Sequence, residues 1–79
     1  MLPVLGIYQH YKGNFYQVIG ISRHSETLEI LVAYQQLYAG FGLWVRPVEM
    51  FLETVTVDGK RVPRFKFIEE HLAKAPLVS

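Results

Sequence analysis

Apolar and polar positions alternate along most of this chain with the period of two that suits a pleated strand. Short breaks rich in glycine, proline or asparagine divide it into segments too brief for most helices. From Gly6 to Ser22 the text GIYQHYKGNFYQVIGIS is rich in β-branched and aromatic residues and is broken once, at Lys12-Gly13-Asn14. Gly and Asn tolerate the positive φ of tight hairpins, so two antiparallel strands are predicted over about 6 to 11 and 15 to 22. Gly20, inside the second, marks a bulge or bend. The polar stretch RHSETLE is a loop in which Ser25 and Thr27 bond nearby backbone amides.

The run LEILVAYQQL, about 28 to 37, carries Leu28, Ile30, Val32 and Tyr34 on one parity and Leu31, Ala33 and Leu37 on the other. Its turn-like flanks and its β-branched pair Ile30 and Val32 favour a strand over a helix. YAGFG then connects to another strand at 43 to 45, which ends before Pro47. Pro47 opens a single helical turn through VEMFL, since the first helical position needs no amide donor. ETVTV alternates as a strand, and Asp58-Gly59 turns it back into VPRFKF. The tail from Ile68 to Lys74 forms a turn and a half of helix before Pro76, or frays. These elements predict a mostly β fold, a five- or six-stranded small barrel or strongly twisted antiparallel sheet, with one short helical turn near 47 to 52. No linker or repeat divides the chain, so residues 1–79 read as one domain with its body over about 6 to 67 and a tail over 68 to 79.

Composition narrows the chemistry. Cysteine is absent, which excludes disulfides, a thiol nucleophile and zinc sites built on thiolates. Stability therefore rests on apolar burial, with 51% hydrophobic and 14% aromatic residues supplying it. A net charge of +1 is too small for a whole-surface nucleic-acid binder. No apolar run approaches the ~20 residues that span a bilayer and no basic region precedes the first apolar stretch, so a cytoplasmic location without membrane contact is the expectation.

The strings H-Y-K-G at 10 to 13, R-H-S-E-T at 23 to 27, L-W-V-R-P at 43 to 47 and E-M-F at 49 to 51 together resemble the bacterial family called domain of unknown function 1653, over about Gly6 to Phe67. The resemblance implies a small SH3-like β domain, sometimes joined to other modules, with no established substrate and no catalytic residue to carry over.

Several residues compete for a functional reading. Trp44 and Arg46 share a face if 43 to 46 is extended, with Leu43 and Val45 on the other. A Trp beside an Arg either stacks with it or presents a flat, partly wet surface that anchors a ligand, and Tyr8, Tyr16 and Tyr34 extend that surface if their strands are neighbours. The competing role is structural, because an indole in so small a domain commonly serves the core and Arg46 has Glu49 and Glu53 nearby in sequence. His10 and His24, with Glu26 and Glu29, make a His-His-carboxylate metal set conceivable, but no H-x-x-x-H spacing supports it. Ser25 beside His24 lacks the elbow and geometry of a nucleophile and base.

Lys60, Arg61, Arg64 and Lys66 form a basic run with no acid between them, interleaved with Phe65 and Phe67, whereas residues 24 to 57 carry four glutamates against Arg46 alone. Such a run meets a phosphate backbone or an acidic partner, or it is a solvated strand edge. The reading reached from these residues is a non-catalytic interaction module, needing no cofactor or metal. It binds a protein segment or other ligand through Trp44, Arg46, Tyr34, His24, His10 and Tyr8. A nucleic-acid or nucleotide accessory domain is the alternative, and a metal-dependent hydrolase a third and less favoured one.

Overall fold

The structure, a computed structural model, describes residues 2–69. Each apolar segment predicted as a strand up to Val57 is one. β1 (Gly6–His10) and β2 (Phe15–Arg23) form the first hairpin, β3 (Ile30–Gln36) and β4 (Leu43–Pro47) follow, and α1 (Val48–Leu52) is the single helical turn. β5 (Thr54–Val57), β6 (Lys60–Pro63) and β7 (Phe65–Glu69) complete the described chain. Five strands make an antiparallel sheet in the order β4-β3-β2-β1-β7, and β5 and β6 form a separate two-stranded ribbon. Seven strands thus replace the five or six expected, and the sheet does not close into a barrel.

Local chemistry accounts for the punctuation. Gly13 has φ +111° and its amide bonds the His10 carbonyl at 2.8 Å, while the His10 amide bonds the Asn14 carbonyl, closing the first hairpin. Asp58 and Gly59, both at positive φ, make the β5–β6 turn as a mirror-image hairpin turn requires. The β2–β3 register shifts between Val18 and Gly20, so the expected bulge is present with Ile19 as the extra residue. In the 23 to 29 loop the Thr27 hydroxyl accepts the Glu29 amide as anticipated, but the larger share of the turn is held by His24 rather than by Ser25.

Three sequence expectations need correction. Pro47 ends β4 as an extended helix cap (ψ 140°) and Val48 opens the helix, because the residue that follows a strand directly keeps strand geometry. VPRFKF is not one strand: it breaks at Arg64, whose amide bonds the Glu53 carbonyl at 3.0 Å and whose carbonyl accepts the Tyr11 amide at 2.9 Å. Pro63, which has no ladder donor, ends β6, and β7 is thereby redirected to pair with β1. Ile68 and Glu69, expected to start a helix, continue β7, with Glu69 opposite Ile7. The remainder of that helical expectation, and most of the 68 to 79 tail, lies outside the described residues.

One face of the sheet builds the core. Cross-strand partners Val18 and Tyr34, and Tyr8 and Tyr16, fall on it, and Val32 joins them two residues from Tyr34. α1 lays Phe51 against them, buried to 1% exposure and stacked on Phe65 with centroids 4.2 Å apart and planes 5° from parallel. Tyr8, Val18, Val32, Tyr34, Phe51 and Phe65 form the buried cluster, with Tyr16 and Val48 packed at its margin. Four of these six side chains are aromatic, and their edge-to-face contacts (Tyr8 to Phe51, Tyr34 to Phe65) suit the ring quadrupoles.

Candidate functional site

The core face continues past its buried centre into an open pocket at the β4 end of the sheet. Strand alternation puts Tyr34 on β3 directly opposite Trp44 on β4, and Val32 opposite Arg46, so the indole and the guanidinium emerge from the same side as expected. Tyr16 on β2 and Tyr38, just after β3, close the far side. These five residues line a pocket of about 260 Å³. That is slightly below the volume of ordinary small-molecule sites and suits a single side chain or charged group.

Each wall is fixed by a hydrogen bond. The Trp44 indole donates to Gln36 Oε1 at 2.8 Å, and Gln36 Nε2 donates to the Ala39 carbonyl at 3.0 Å. Arg46 Nε donates to the Tyr34 hydroxyl at 3.3 Å, with the guanidinium carbon 5.8 Å from the centroid of Phe65. The Tyr16 and Tyr38 hydroxyls share a 2.7 Å bond. Burial, reinforced by that bond, raises the Tyr16 pKa well above the ordinary phenol value, so no phenolate forms there to neutralise Arg46. Trp44 remains 52% exposed despite its anchor, which answers the question of core or surface for it in favour of surface.

Arg46 is the only cation lining this pocket, and the expected pairing with Glu49 or Glu53 does not form. Among the described residues the one ion pair is between Arg64 and Glu53. Among the described residues Arg46 therefore has no carboxylate within ion-pair reach, and its outer guanidinium nitrogens have no hydrogen-bond partner.

The other candidates are dispersed. Tyr8, expected on the ligand surface, serves the core: it is buried, its hydroxyl donates to the Val4 carbonyl at 2.8 Å, and burial raises its pKa. His24 organises its own loop, its Nδ1 accepting the amides of Glu26 and Thr27 at 3.1 and 3.3 Å. His10 lies between these extremes, its ring 5.0 Å from Phe65 and 6.3 Å from Tyr16, with Nδ1 accepting the Lys12 amide. Burial first, then the charges of Arg64, Arg46 and Lys12, lowers its pKa. Among the described residues no three His, Asp or Glu side chains come together as metal ligands.

The basic run divides between structure and solvent. Arg64 is held by Glu53, Arg61 donates to the Thr54 hydroxyl at 2.7 Å, and Lys60 is exposed at the hairpin. Lys66 borders a larger hollow of about 500 Å³ between the β1–β2 turn and the ribbon, which His10, Tyr11, Val57, Val62 and Pro63 also line. That hollow is the roomier of the two, but its rim is largely apolar and the Nδ1 of its imidazole is already occupied. The smaller pocket concentrates a cation with no carboxylate partner among the described residues, hydroxyl groups and an exposed Trp44, and it is the better candidate.

Gln36 and Tyr38 escaped the sequence reading. Gln36 has the parity of Val32 and Tyr34, a polar residue where the core face calls for an apolar one, and that mismatch was the available signal. The glycines of YAGFG belong to the same device. Gly40 has φ +99°, and a Cβ on Gly42 would stand 3.2 Å from Gln36 Oε1.

No helix among the described residues is long and apolar enough to cross a membrane. No curated protein matches the chain closely. A family model described as protein of unknown function (DUF1653) matches residues 6–67. A crystal structure of a protein belonging to DUF1653 from Bordetella bronchiseptica is similar at 37% identity and a TM-score of 0.78, over 84% of this chain and 87% of that one. On sequence and fold together, the chain belongs to the DUF1653 family.

Proposed function

We propose that this domain is a recognition module without catalytic machinery, and that its pocket takes an acidic side chain from an extended protein segment. The observation that carries the reading is Arg46: oriented by the Tyr34 hydroxyl and packed over Phe65, it has no carboxylate partner among the described residues. A carboxylate offered by a ligand completes the planar, two-bond geometry a guanidinium favours. Beside it, the exposed Trp44 supplies the rigid aromatic contact that anchors many interfaces.

A nucleic-acid role finds less support, since Arg64 and Arg61 are engaged within the domain and the four basic residues are spread over the ribbon, the bend at Arg64 and the main sheet.

The test uses a displayed library of random linear peptides selected on the whole chain. Selected peptides are expected to be enriched in Asp and Glu and to change the emission of the single tryptophan. Arg46→Gln should weaken the best peptide at least tenfold, with the fold unchanged by circular dichroism. Selection of sequences lacking acidic residues overturns the reading, as does tighter, salt-sensitive binding of a short oligonucleotide that Arg64→Ala weakens.

A further inference from the structure

Among the described residues β4 is an end strand of the sheet, and its free side has an unusual make-up. In an antiparallel ladder, successive residues direct their backbone groups alternately to one side and the other. The Gln36 amide bonds the Gly42 carbonyl at 3.0 Å, so the pairs two and four residues further along, Tyr34 with Trp44 and Val32 with Arg46, share that bonded phase. Trp44 and Arg46 thus turn their backbone toward β3, and Leu43, Val45 and Pro47 turn theirs outward. Pro47 stands where a missing donor leaves no bond to β3 unmade. The free side offers the amides of Leu43 and Val45 and the carbonyls of all three.

Side chains there are apolar and open: Leu43 is 69% exposed and Val45 60%, beside Ile19 and Ala33 in a shallow depression. The opposite end strand, β7, carries Lys66 and Glu69, and its pairing with β1 is interrupted by a register shift. β4 pairs without a shift, and its one charge, Arg46, faces the pocket. Sheets normally guard such a side with charge, bulges or a covering element.

We infer that β4 pairs antiparallel with β4 of a second copy of this chain, about a two-fold axis through Val45. The occupant is chosen by self-complementarity. In this register Val45 meets the partner's Val45 with two amide-to-carbonyl bonds, and each Leu43 amide meets the carbonyl of the partner's Pro47. On the pocket face each indole lies opposite a guanidinium, Trp44 against the partner's Arg46, a favourable cation-π pair. On the other face the valines join the two Ile19, Ala33 and Leu43 patches into one apolar strip. An axis through Arg46 sets two guanidinium groups against each other, and an axis through Trp44 places Arg46 against Gly42 and leaves Pro47 unpaired.

Sedimentation equilibrium of the whole chain over a hundredfold concentration range should show the mass rising from 9.1 kDa to twice that value. Val45→Pro removes an outward amide without touching a bond to β3 and should keep the chain monomeric, and Val45→Lys should do the same. Since the chain has no cysteine, Val45→Cys provides a register test. Its Cα lies about 5.5 Å from its own copy, within disulfide reach. Leu43 is roughly 14 Å from its own copy, so Leu43→Cys should not cross-link. A chain that stays monomeric throughout, dimers that survive Val45→Pro, or Leu43→Cys cross-linking as fast as Val45→Cys each overturn the inference. Peptide binding by monomeric Val45→Pro would leave the pocket reading intact.

Discussion

His10 couples the core to the surrounding cations, and its titration follows from where it sits. Burial and the nearby charges of Arg64, Arg46 and Lys12 hold its pKa below the ordinary 6.5, so below that pH the folded state binds fewer protons at this site than the unfolded chain does. The stability contribution is whole above about 6.5 and is lost as pH falls through the lower folded value. A proton NMR titration should place the His10 midpoint below 6.5, and urea unfolding should show less stability in mild acid than at neutral pH, with a shallower dependence in His10→Gln. An unshifted midpoint would remove this account. Individual residues were only partly legible in the sequence. The shared face of Trp44 and Arg46 followed from strand parity alone, whereas the burial of Tyr8 did not, because parity names a face but not what covers it. Only α1 packed over that face, together with β7 paired beside β1, separates the covered tyrosine from the open indole.

Turns and strands were the most legible features, because each hairpin carries its own short-range chemistry: Gly13 with Asn14, and Asp58 with Gly59. The break between β6 and β7 was hidden, since it depends on Arg64 bonding Glu53 and Tyr11, partners far apart in sequence. The β3–β4 connection joins both kinds of information. Gly42 passes so close to Gln36 that a methyl group would stand 3.2 Å from Oε1 and 3.6 Å from the Trp44 indole nitrogen. Gly42→Ala should therefore displace the amide from the indole, costing about 1 kcal/mol for the weakened bond. Urea unfolding followed by tryptophan emission checks both the lost stability and a changed native spectrum. An Ala variant with the parent's spectrum and midpoint would mean that Gln36 gives way freely.

The molecule as a whole depends on a short helix to cover one face of a sheet, a heavy demand on five residues. Phe51 contributes the only buried side chain of α1, stacked on Phe65 and meeting Tyr8 and Tyr34. Replacing a buried Phe with Ala costs about 3–5 kcal/mol. Small domains are stable by only about 5–15 kcal/mol. Phe51→Ala should thus lower the thermal midpoint strongly or unfold the chain at room temperature, as read by circular dichroism, whereas Met50→Ala on the exposed side should change little. The pairing of β1 with β7 has a further consequence, for the order of assembly. Phe65 arrives with the last described strand, so a nascent chain that has emerged only through β6 lacks the ring on which Phe51 rests. Hairpins can form as they leave the ribosome, but the cooperative interior forms only when strands some sixty residues apart meet. For this domain, folding waits until β7 has left the ribosome.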